Sequence, residues 1–99
     1  MKKLKENNFF CLERLSEFEP KSNFKFDGYW VDCFNDDWMI EQHQIKFDSS
    51  DYVVFVSPEL HNRSHKKLWG WIKNNLHLWN SKIGLCTDFP EKAKSFFND

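Results

Sequence analysis

The stretch "YVVFVSPELHNR", Tyr52 to Arg63, decides how the chain is read. Its first five residues are continuously apolar and rich in β-branched and aromatic side chains. That pattern suits a strand covered on both faces, as in a parallel sheet. Ser57-Pro58 then breaks the run, and Glu59, His61 and Arg63 follow in quick succession. Polar residues at a strand exit are either punctuation before a helix or one corner of a site.

Three further runs carry strand character: "FFCLERL" (Phe9–Leu15), "GYWVDCF" (Gly28–Phe34) and "KIGLCTDF" (Lys82–Phe89). Each is rich in aromatic or β-branched residues or is flanked by turn formers. Helical periodicity lies between and after them. In Asp36–Phe47, Met39, Ile40, His43 and Phe47 recur at spacings of three and four, with Asp36 or Asp37 as the cap. In Ser64–Trp79, Leu68, Trp69, Ile72, Leu76 and Trp79 form one apolar face, with Ser64 as N-cap and Gly70 a place for close packing. Pro90–Phe97 opens with Pro and Glu, as a first helical turn does, and turns Ala93, Phe96 and Phe97 inward. The link between the first two strands is too short for a full helix and holds a turn around Pro20–Asn23. Strands separated by helices need crossover connections. The expected class is therefore α/β, with four parallel strands alternating with helices in one domain spanning residues 1–99.

Composition supports a packed fold. Aromatic residues make up 18% of the 99, enough bulky core material to argue against disorder despite 29% charged residues. With a net charge of −1 and no basic stripe, nucleic-acid binding has no electrostatic support. Lys2, Lys3 and Lys5, and again Arg63, Lys66 and Lys67, form two short basic patches. They read as solvated faces, the second also as a phosphate contact. Cys11, Cys33 and Cys86 lack zinc-site spacing and sit in or beside apolar runs, which suits free thiols in a reducing cytoplasm. The opening "MKKLKENNFF" has no apolar leader core, and no apolar run is long enough to span a membrane.

In parallel α/β folds, ligands bind beyond the C-terminal ends of the strands. The strand exits here offer Arg14, Ser16, Glu17 and Glu19, then Asp32, then Ser57, Glu59, His61 and Arg63, then Thr87 and Asp88. Glu17, Asp32, Glu59 and Asp88 are the oxygen donors a hard cation such as Mg²⁺ or Ca²⁺ takes. His61 has the proton affinity of a general acid or base, with Glu59 and Asp32 as its catalytic companions. Arg14 or Arg63 can grip a phosphate, Glu17 can contribute to substrate binding, and Trp30 can stack on a ligand. Each residue also has a structural reading. Glu59 can cap backbone amides after the turn, Asp88 can open the last helix, and His61 can be a loop residue. Arg14 can be a solvated charge at a strand edge, and His43, His65 and His77 suit helix surfaces.

Four segments together, "LERLSEFEP", "GYWVDCF", "VVFVSPELHNR" and "GLCTDFPEKAKSFF", resemble the C-terminal half of bacterial phosphodiesterase-like (βα)8 barrels. The family is the superfamily of phosphatidylinositol-specific phospholipase C and glycerophosphodiester phosphodiesterases. The closing Thr87-Asp88-Phe89-Pro90 is the best single element, and Ser57-Pro58-Glu59-Leu60-His61 the next. The resemblance implies metal-assisted hydrolysis of a glycerophosphodiester or related phosphodiester. It also implies half of a barrel that normally runs to about 250 residues. The His-Arg-Gly segment of the family's N-terminal half has no counterpart in this sequence. The expected partners are therefore a second copy or a separate N-terminal half-barrel. The alternatives are a non-catalytic α/β interaction module, a truncated remnant, and a sugar- or phosphate-binding protein without turnover.

Overall fold

The computed structural model of the chain describes residues 11–19, 26–41 and 52–98. Four strands form one sheet: β1 (Leu12–Leu15), β2 (Gly28–Val31), β3 (Tyr52–Val56) and β4 (Lys82–Cys86). Three α-helices are described: α1 (Trp38–Glu41), α2 (Lys66–Asn75) and α3 (Pro90–Asn98). Short 3-10 helices at Pro58–His61 and Leu76–Leu78 complete the elements. The strands lie in chain order, β1-β2-β3-β4, and every neighbouring pair is parallel. The expected α/β class is what the chain adopts, in a half-barrel-like arrangement. The start of the first expected strand, the turn at 20–23 and positions 42–47 of the first expected helix lie outside the described residues.

The register assigns the two faces of the sheet. Leu15, Val31, Phe55 and Leu85 lie in one row across the strands, and Glu13, Tyr29, Val53 and Ile83 in the row below. Side chains alternate along a strand, so both rows point to the same side. That side holds the core: Leu15, Tyr29, Val31, Val53 and Phe55 pack with Cys33, Met39 of α1, and Leu68 and Ile72 of α2. Phe97 of α3 packs against the same cluster. Among the described residues the helices that join this cluster lie on that one face of the sheet, the arrangement right-handed crossovers between successive parallel strands produce. Burying a side chain the size of Phe55 or Leu68 stabilises by about 1.5–3 kcal/mol, and both are fully buried.

Aromatic residues tie α2 to its neighbours. Phe55 meets Trp71 edge-on at 6.0 Å and Trp79 at 5.6 Å between ring centroids. Trp69 is buried, lies 5.7 Å from Phe96 and 5.8 Å from Phe97, and donates its indole N–H to Ser57 Oγ at 2.8 Å. The apolar face read from the sequence is therefore the packed one. Ser64 departs from its expected role: His65 occupies the N-cap position of α2, while Ser64 Oγ accepts the Lys66 N–H at 3.3 Å. Gly70 also departs, since a Cβ there would meet nothing within 4 Å, so no close packing requires it. Gly28 is the glycine the fold needs. A Cβ there would lie 1.9 Å from the Tyr52 carbonyl oxygen.

Strands two and four end earlier than their apolar runs. Asp32 and Cys33 leave β2 to take part in the polar rim, and Thr87 and Asp88 do the same after β4. Among the described residues no helix is long and apolar enough to cross a membrane, and all three cysteines are free.

Candidate functional site

Every strand exit carries polar groups on one rim, but they fall into three separate clusters. The first joins β1, β2 and the turn after β3. Asp32, immediately after β2, is almost fully buried, and its Oδ1 lies 2.8 Å from His61 Nε2. The same oxygen accepts the Cys33 N–H at 2.9 Å. Its other oxygen faces Arg14 at 3.8 Å, and Arg14 also pairs with Glu19 at 3.1 Å. Phe34 forms a platform beside them, 4.8 Å from the His61 ring and 5.2 Å from the Arg14 guanidinium carbon. Phe18, 65% exposed, continues the aromatic patch at 5.9 Å from Phe34.

Local chain geometry places His61. Pro58 pre-sets the backbone for the 3-10 turn, and Asn62 ends it at φ 62°, a left-handed conformation that Asn tolerates. The Asn62 and Arg63 N–H groups fold back onto the Glu59 and Pro58 carbonyls. This tight return aims His61 across β3 toward β2. Trp38 fixes the other side, donating its indole N–H to the Asp32 carbonyl at 2.6 Å.

The second cluster is a clip between β3 and β4. Glu59 accepts hydrogen bonds from the Ser57 and Thr87 hydroxyls and from the Asp88 N–H at 3.0 Å. Burial alone would raise its pKa, but these donors outweigh it and hold the carboxyl below its ordinary range. The third cluster is a loop cap. Glu17 accepts the N–H groups of Phe34 and Asn35 at 2.9 Å and of Asp36 at 3.1 Å. There too, amide donors outweigh burial and lower the pKa.

The expected site residues thus part company. Asp32, His61 and Arg14 meet. The Glu17 carboxylate is engaged by the backbone of the loop after β2, and that of Glu59 by Ser57 and the exit of β4, which Asp88 joins through its backbone. Arg63 is held as a brace, with Nη1 2.9 Å from Asp37 Oδ1 and Nη2 2.8 Å from the Cys33 carbonyl. Trp30 lies on β2 on the sheet face away from the helices, one strand repeat before Asp32. The four carboxylates expected to hold Mg²⁺ or Ca²⁺ do not form one oxygen-ligand set. Among the described residues no three His, Cys, Asp or Glu side chains are grouped to hold a metal ion.

Phe34 was not among the expected site residues, nor was Asp37 as the partner of Arg63. Phe34 read as the end of an apolar run, and its role needs the turn after β2 to be known. The available chemistry is a histidine oriented by a buried carboxylate, beside a half-exposed guanidinium and an aromatic platform. Because Asp32 accepts at Nε2 when ionised, Nδ1 is left to act on a proton.

No family model, curated protein or solved structure matches the chain.

Proposed function

We propose that the chain forms half of a phosphodiester-handling barrel and that His61 is its proton-transfer group. The observation that carries this reading is the 2.8 Å contact between His61 Nε2 and buried Asp32 on the C-terminal rim of a parallel sheet. That rim is where α/β folds of this kind place ligands. Arg14, half exposed beside the pair, supplies the positive charge an ionised phosphodiester needs. In the hydrolysis, water adds across a P–O bond, leaving a phosphomonoester and an alcohol. His61 takes the proton from water and returns it to the departing alkoxide. Glu59 and Glu17 act as positioning residues, since they hold the loops that carry His61 and Phe34. A glycerophosphodiester or related small phosphodiester is the proposed substrate class, and the three free thiols fit a reducing cytoplasm.

Titration with glycerophosphoglycerol, followed by the ring resonances of His61 in NMR spectra, tests the site. The reading expects a saturable shift at His61 and Phe34 that is lost in Arg14→Ala. Shifts spread elsewhere with His61 unmoved would remove the rim from ligand binding.

A second reading is favoured by Phe18, 65% exposed beside Phe34: a non-catalytic module that docks on a partner. It predicts no response to the phosphodiester.

A further inference from the structure

The turn after β1 is tied down through every side chain but one. The Ser16 and Glu19 main chains exchange hydrogen bonds at 3.3 and 3.2 Å. The Ser16 hydroxyl accepts the Phe18 N–H and donates to Glu19, both at 3.0 Å. Glu19 continues to Arg14 at 3.1 Å, and Glu17 takes up the amides of Phe34, Asn35 and Asp36. Phe18 is the one exposed residue of the four, at 65%. An apolar ring left in water on a fixed turn adds nothing to the core. Held in place in advance, it can cover an apolar group of a ligand at little cost in order.

With Arg14 and His61 holding the phosphodiester, as proposed, we infer that Phe18 selects the ester group, and that this group is a planar aromatic ring. Phe34 joins Phe18 to the site. Its ring centroid lies 4.8 Å from the His61 ring and 5.9 Å from that of Phe18, and the Arg14 guanidinium carbon is 5.2 Å away. Phe18 is thus one ring spacing beyond Phe34, within reach of a substituent on a phosphate seated between Arg14 and His61. The Phe18 and Phe34 planes are inclined at 38° rather than stacked, so neither ring closes off a face of the other.

The chemistry favours an aromatic group over the polyol of a glycerol ester. Glycerol hydroxyls need hydrogen-bond partners that a phenyl ring does not supply, whereas stacking asks only for a π-face. Glu17 and Glu19 flank Phe18 in the chain and carry negative charge. They disfavour a further anionic group there and leave a neutral ring unopposed.

Dimethyl phosphate and methyl phenyl phosphate are both phosphodiester anions, and one carries the ring. Each is titrated into the full chain with the His61 ring resonances as the readout. Methyl phenyl phosphate should bind about tenfold tighter, as a ring stacked on an aromatic side chain does. Phe18→Ala keeps the main-chain N–H that bonds Ser16, and should bring the two affinities within about twofold of each other. Phe18→Leu, apolar without a π-face, should lose the difference as well. Phe18→Tyr, which keeps the ring, should retain it. Equal affinities in the wild-type chain overturn the selecting role of Phe18 and leave the anion site standing. So does a preference that survives in a folded variant lacking the ring. Saturation of His61 by neither probe overturns the anion site, and the selecting role with it.

Discussion

His61 Nε2 lies 2.8 Å from Asp32 Oδ1, joining the exit of β3 to the exit of β2 across 29 positions of chain. Asp32 also holds the Cys33 N–H, so its buried carboxylate serves two donors at once. Asp32→Ala leaves both without a partner and should cost about 1–3 kcal/mol of stability. Asp32→Asn, which keeps an acceptor oxygen, should cost less. Urea denaturation of the two variants checks the order, and equal losses would mean that the carboxylate's volume rather than its hydrogen bonds matters.

The two loop clips make a prediction about acid. Glu17 and Glu59 both have pKa values held below the ordinary carboxylate value of about 4.3 by hydrogen bonds that outweigh burial. Their lowered values mean that protonation opposes folding. The stability they add is present in full above the unfolded value and is lost as pH falls through the lowered folded values. The denaturation midpoint should therefore decline on acidification below about pH 4. Glu59→Gln should lower stability at neutral pH and flatten that decline; an unchanged acid profile would remove Glu59 from the clip.

The glycines separate by environment. Gly28→Ala drives a Cβ into the Tyr52 carbonyl, where backbone rather than a flexible side chain must move. It should prevent the β2–β3 pairing and leave little folded protein. Gly70→Ala meets open space within α2 and should stabilise by about 0.5–1 kcal/mol. Thermal melts of the two variants should move in opposite directions.

Cys33 is buried, and burial pushes its thiol up to about 12, although the Arg63 charge pulls the other way. Its Sγ donates to the Val56 carbonyl at 3.3 Å. The thiolate is the reactive form, so Cys33 should resist an aromatic disulfide reagent at neutral pH until the protein unfolds. Cys11 and Cys86, both half-buried, should react first. Rapid labelling of Cys33 in the folded chain would contradict the packing around it.

The sequence reveals more of the fold than of the site. Tyr52–Val56 reads as a strand because five apolar residues with β-branching have few alternatives, and α2 reads as a helix because its apolar face repeats at helical spacing. Both signals are local. The rim is not. Glu17, Glu59, Asp32 and Asp88 look alike as carboxylates at strand exits, and only the folded turns decide which faces solvent and which is taken up by the amides and hydroxyls of a neighbouring strand exit. Glu59 turns toward Ser57 and Thr87, while Asp32 meets a histidine 29 positions away. Phe34 and Asp37 gain their roles from contacts that no spacing in the sequence encodes.

The most direct test is hydrolysis of bis-p-nitrophenyl phosphate by the purified chain, compared with His61→Asn. The account predicts measurable turnover that falls by about 10²–10⁴-fold in the variant, the usual contribution of a positioned proton-transfer group. No turnover by the wild-type chain, or equal rates for the two proteins, would contradict it.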